Sequence, residues 1–92
     1  MPPKTLPDPE LLALKALGFL ADSPDDLARF IGLSGAAPAE LRTRAEDPEF
    51  LGGVLDFLLA DDAMAARFCA AHDLDPQSVH LARHRLSQRG TA

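Results

Sequence analysis

The stretch that decides the fold is Asp47-Pro48-Glu49-Phe50-Leu51-Gly52-Gly53-Val54-Leu55-Asp56-Phe57-Leu58-Leu59-Ala60. It opens with a capping oxygen, a proline and an acid, which is the chemistry of a helix start. Aspartate accepts an orphan backbone N–H, proline in the first helical position has no N–H to leave unpaired, and the acid faces the positive end of the helix dipole. Wound at about 100° per residue, Phe57, Phe50, Val54, Leu58, Leu51, Leu55 and Leu59 span an arc of about 200° and leave Gly52, Gly53, Asp56 and Ala60 outside. So wide an apolar arc needs cover from two sides. The segment is expected to be the central helix, with Leu11, Leu12, Leu14, Leu17, Phe19 and Leu20 as its counterpart.

The same opening recurs at Asp8-Pro9-Glu10, Ser23-Pro24-Asp25 and Asp75-Pro76-Gln77, and without a capping side chain at Ala37-Pro38-Ala39-Glu40. These sites predict six helices at 9–21, 24–33, 38–45, 48–60, 62–72 and 76–88, with Gly35 and Asp73 stopping the second and fifth. Six β-branched residues against sixteen alanines and sixteen leucines starve any sheet, so the fold class is all-α. Sliding the chain by 38 residues places Leu17, Phe19, Leu20, Ala28, Arg29, Phe30 and Pro38 on Leu55, Phe57, Leu58, Ala66, Arg67, Phe68 and Pro76. Composition alone gives about three identities over such a window. The expectation is one six-helix domain over 9–88, made of two pseudo-repeated three-helix units (9–45 and 48–88), between short tails at 1–8 and 89–92. Phe30 and Phe68 are the expected core anchors of the two units.

Ninety-two residues and 9.8 kDa allow one small domain with a modest core and little room for a deep substrate pocket. Residues 1–75 hold all fourteen acids and a net charge of −8, while residues 76–92 hold three arginines, no acid and a net of +3. An acidic body with a pI near 4.9 disfavours nucleic acid as a partner. A single cysteine, Cys69, cannot build a disulfide framework, and the start lacks a signal-peptide apolar run. No stretch approaches the roughly 20 apolar residues of a membrane span, so a cytoplasmic protein is expected.

Leu17-Gly18-Phe19-Leu20-Ala21, Leu27-Ala28-Arg29-Phe30, Leu41-Arg42, Asp47-Pro48-Glu49-Phe50-Leu51, Val54-Leu55-Asp56-Phe57-Leu58-Leu59 and Asp75-Pro76 together resemble the bacterial domain of unknown function family 3572. The resemblance runs from about Leu12 to Leu86. It implies a small helical alphaproteobacterial protein and supplies no catalytic or binding residues.

Few residues invite chemistry. Cys69 and His72 stand at i, i+3, but the repeat puts Cys69 on Ile31, a core position, so a buried structural thiol is expected. His80 and His84 at i, i+4 lack the glutamate and the third ligand of a zinc site. Asp25-Asp26, Asp61-Asp62 and Asp73 with Asp75 sit where helices begin or turn, which makes them caps rather than catalytic carboxylates. No enzyme, cofactor or metal is expected. The leading reading is a protein–protein interaction or self-association module with Leu12, Phe19, Gly52, Gly53 and Asp56 as its surface. The alternative is weak nucleic-acid binding through a helix-turn-helix-like segment at 27–44 and the basic C-terminal helix, using Arg42, Arg44, Arg83, Arg85 and Arg89.

Overall fold

Four of the five prolines expected to open a helix, Pro9, Pro24, Pro48 and Pro76, open an α-helix, and the fifth, Pro38, opens a 3-10 turn. In the computed structural model, which describes residues 8–90 apart from the side chains of Pro38, Arg89 and Gly90, the helices are α1 (Pro9–Ala21), α2 (Pro24–Ser34), α3 (Leu41–Arg44), α4 (Pro48–Leu59), α5 (Asp62–His72) and α6 (Pro76–Gly90). A 3-10 turn, Pro38–Glu40, leads into α3. The described residues contain no strand, and the chain is all-α. Residues 1–7 and 91–92 of the expected tails lie outside the described residues.

Aspartate oxygens cap α1, α4, α5 and α6. Asp8 accepts from the Glu10 N–H at 2.9 Å, Asp47 from Glu49 at 3.0 Å, Asp61 from Met64 at 3.1 Å and Asp75 from Gln77 at 2.9 Å. Ser23 does not behave as expected, because its side chain makes no cap bond and α2 begins on Pro24 alone. The third helix also differs. Ala37 has no capping oxygen, so Glu40 reaches back to accept from its N–H at 3.0 Å, and the first three residues of the expected helix form a tighter 3-10 turn.

Helix α4 is central, as its wide apolar arc requires. Its most extensive neighbour is α6, followed by α1; α1 and α6 also pack on each other, while α2 leans on α1 and α5 on α4. Phe50, Leu51, Val54, Leu55 and Leu58 of α4 are buried with Leu12, Ala13, Ala16 and Leu20 of α1, and Val79, Ala82 and Leu86 of α6. The expected anchors hold: Phe30 is 3% exposed and Phe68 is fully buried. Phe30 meets the Phe50 and Phe57 rings edge-to-face at 5.5 and 5.4 Å, and Phe68 meets Phe19 in the same way at 5.5 Å.

Helix α1 is not oriented as expected. Its buried face is Pro9, Leu12, Ala13, Ala16 and Leu20, with Leu11 and Leu14 outside. Only Glu10 and Lys15 break the apolar run of α1, so periodicity cannot choose a face for it. Ala13 and Ala16 are fully buried on the inward face with Leu12 and Leu20, so the packing of α1 on its neighbours sets the orientation.

The backbone turns in the same way at positions 38 residues apart. Asp22 and Ala60 close α1 and α4 at φ/ψ of −73/−13 and −71/−16°; Ser23 and Asp61, which follow, stand at −121/101 and −121/102°. Gly35 and Asp73 then end α2 and α5 in the left-handed region, at φ 75 and 52°. After Asp73, the Leu74 N–H returns to the Cys69 carbonyl at 2.8 Å, and Leu74 packs against the core. The third helices are unequal. Helix α3 has 4 residues and touches chiefly its own 3-10 turn, whereas α6 has 15 and covers both α4 and α1.

Candidate functional site

The seam between α4 and α6 holds a long-range ion pair. Arg83 Nε donates to Asp56 Oδ1 at 2.6 Å, and the guanidinium lies over Gly52, where an added Cβ would stand 3.2 Å from Nη1. The hydrogen bond that Arg83 donates to Asp56 is the main cause that pushes the Arg83 pKa still higher; burial works against it and the Asp56 charge adds to it. A side chain at position 52 would therefore press on a neighbour from another helix, which would have to give by a few tenths of an ångström. Gly53, one residue on, meets nothing within 4 Å.

This arrangement divides the expected interaction surface. Leu12 is 1% exposed and belongs to the core, and Gly52 is buried beneath Arg83, so neither faces a partner. Phe19 is half-buried against Phe68, and Asp56 is engaged by Arg83. Gly53 borders an open cleft of about 250 Å³ with Phe30, Ser34, Arg44, Asp47, Glu49 and Phe50. Helix periodicity alone cannot foresee what another helix lays over Leu12, Phe19, Gly52 and Asp56.

The exposed apolar side chains lie elsewhere. Leu11 is 52% and Leu14 42% exposed, and a Cβ on Gly18 would meet nothing within 4 Å. With Lys15 they form one outward stripe on α1, since positions 11, 14, 15 and 18 fall within about 100° of arc. The sequence signal for this stripe is the all-round apolarity of α1, which leaves one face bare whichever way the helix turns. Leu33 at the end of α2 is 78% exposed, and Leu81 on α6 39%.

The arginines of the nucleic-acid reading lie on two helices, α3 and α6. Arg42 and Arg44 are exposed on α3, with Arg44 edging the cleft, while Arg83 is held on the α4–α6 seam and Arg85 is exposed on α6. The side chain of Arg89 lies outside the described residues. Helix α3 is a single turn of four residues, about 6 Å long.

Cys69 is buried at 5% exposure beside Leu59, Ala65 and Val79 in a groove of about 190 Å³ between α5 and α6. Burial first, and then the Asp75 charge, pushes its thiol pKa up, which keeps it protonated and a poor nucleophile. The His72 ring lies against Phe68, with centroids 4.8 Å apart and planes tilted by 46°. His80 and His84 are exposed, with His84 Nε2 3.2 Å from Gln88. Among the described residues no three His, Cys, Asp or Glu side chains group to hold a metal, and no helix is long and apolar enough to cross a membrane. Of the paired carboxylates, Asp61 and Asp75 are caps, Asp73 ends α5, and Asp26 lies 3.6 Å from Arg29.

A family model described as protein of unknown function (DUF3572) matches residues 7–89, nearly the whole chain. No curated protein and no solved structure matches.

Proposed function

The chain belongs to the DUF3572 family, and on that footing we propose that it is a non-enzymatic, cytoplasmic helical domain that works by presenting an apolar helix face to another protein. The observation that carries this reading is the outward stripe of α1. Two large aliphatic side chains, Leu11 and Leu14, stand about half in water on a helix whose opposite face is fully packed. Exposed single leucines are ordinary, but two on one stripe of a helix are an arrangement that burial against a partner rewards. Several side chains capable of chemistry serve the fold, which supports the non-enzymatic part: Cys69 fills core, Arg83 and Asp56 join two helices, and four aspartates cap.

The test is a photo-crosslinking amino acid introduced at Leu14, and in parallel at the exposed Glu46 and Arg67, in cells of the native host. A discrete protein adduct formed from position 14 and absent from 46 and 67 is the expected result. No adduct from position 14, or equal adducts from all three, refutes the reading.

A further inference from the structure

We propose that residues 36–46, which carry the 3-10 turn and α3, form a strap that unlatches as one unit while α1, α4 and α6 stay packed, opening the cleft lined by Phe30 and Phe50. This goes beyond the interaction role proposed above and does not depend on it. The strap is fastened only locally. The N–H groups of Glu40, Ala45 and Glu46 donate to the carbonyls of Ala37, Leu41 and Thr43, and that of Ala37 to the Glu40 carboxylate. All of these bonds close within four residues, and among the described residues no ion pair joins the strap to another helix. Of its described side chains only Ala36 is buried; Leu41 and Ala45 are half-buried against the core and the others are exposed.

Apolar burial is what holds a segment to a core, and a helix of one turn does not stand alone in water. The strap therefore opens at far lower cost than α4, whose Leu51, Val54, Leu55 and Leu58 are each 1% exposed or less. Each end has a place to bend. Gly35 closes α2 in the left-handed region at φ 75°, and Asp47 stands extended at φ −91° and ψ 118° before α4. Bending there leaves both neighbouring helices whole, because Gly35 keeps its N–H on the Ile31 carbonyl and Asp47 still accepts from the Glu49 and Leu51 N–H groups. Only the bonds from Ala36 N–H to Ser34 Oγ at 3.3 Å and from Asp47 N–H to the Arg44 carbonyl at 2.9 Å cross the two ends. The consequence lies behind the strap. Its Arg44 lines the same cleft as Phe30 and Phe50, which are 3% and 9% exposed while the strap is closed. Carrying Arg44 away removes one wall and turns the two rings, edge-to-face at 5.5 Å, into an apolar surface that exists only in the open state.

The test is amide hydrogen exchange of the full chain at several urea concentrations below its unfolding transition. The Glu40, Ala45, Glu46 and Asp47 amides should share one protection factor, at least about tenfold below those of Val54, Leu55 and Leu58, and it should change little with urea because a local opening exposes little surface. A second measurement reads the rings. The double variant Ala36→Asp, Leu41→Asp removes most of the strap's apolar hold, and hydroxyl-radical oxidation should then rise several-fold at Phe30 and Phe50 while Phe68, packed under Phe19, stays protected. Protection that equals that of α4, that follows urea as α4 does, or that is graded from one strap amide to the next overturns the proposal. So does a double variant in which Phe68 is oxidised along with Phe30 and Phe50, since the strap would then be inseparable from the core, or one in which no ring gains oxidation.

Discussion

Gly52 and Gly53 are neighbours in one helix, and the structure gives them opposite answers to the same substitution. Glycine in a helix interior costs about 0.8–1 kcal/mol relative to alanine, because the unfolded glycine has more freedom to lose. At Gly53 an added Cβ meets nothing within 4 Å, so Gly53→Ala should stabilise by nearly that whole amount, raising Tm by about 4–8 °C in a domain of this size. At Gly52 the same Cβ would stand 3.2 Å from Arg83 Nη1 and 3.4 Å from its Cζ. The guanidinium must shift by a few tenths of an ångström, which loosens the 2.6 Å bond to Asp56. The Arg83 side chain is 32% exposed and that of Asp56 57%, so the bond contributes no more than about 1 kcal/mol after solvent screening. The propensity gain and the lost bond therefore cancel, and Gly52→Ala should change stability by less than about 0.5 kcal/mol. Urea unfolding followed by helical circular dichroism measures both variants, with an unchanged m-value as the check that only stability moved. The cycle closes on Arg83→Ala. In that background Gly52→Ala should recover the gain seen at Gly53. Equal stabilisation by the two glycine replacements in the parent, or no recovery once Arg83 is removed, would refute the account of the α4–α6 seam.

The two left-handed helix ends make a second contrast: Gly35→Ala should destabilise by about 1 kcal/mol, while Asp73→Gly should stabilise by up to a similar amount, both read from thermal unfolding. Phe30→Ala and Phe68→Ala should each cost about 3–5 kcal/mol, enough to unfold so small a domain, whereas His80→Ala and His84→Ala should leave the melting curve nearly unchanged. A histidine change that unfolded the protein would contradict their exposed positions. Because the Cys69 thiol is pushed up in the fold, the folded chain holds that proton more tightly than the unfolded one. Its contribution is full below the ordinary thiol range near pH 8.5 and is lost as pH rises through the folded value, so stability should fall above about pH 8.5, and Cys69→Ala should flatten the fall. An aromatic disulfide reagent at neutral pH should label Cys69 only at the rate of unfolding; fast labelling of the native protein would show the thiol to be open.

What the sequence determined by itself is local. Aspartate, proline and acid in succession settle where α1 and α4 begin, and aspartate and proline alone settle the start of α6, because a cap and a fixed φ act within three or four residues. Gly35 and Asp73 settle where α2 and α5 stop, and the wide arc of α4 makes it the centre of the core. Phe30 and Phe68 are legible as anchors because a large ring on a narrow apolar stripe has only one side on which to be buried. The faces of α1 and of the α4–α6 seam were decided by the tertiary structure alone. Leu11, Leu12 and Leu14 are chemically alike, and only the packing of α1 on its neighbours, with Ala13 and Ala16 buried beside Leu12, sends Leu12 inward and the others out. Gly52 and Gly53 are identical in sequence terms, and the distinction between them arrives with Arg83, which reaches Asp56 from 27 residues further along the chain. Capping and propensity are short-range and additive along a helix, whereas burial depends on which surfaces of several helices compete for one core, and no single helix carries the outcome of that competition.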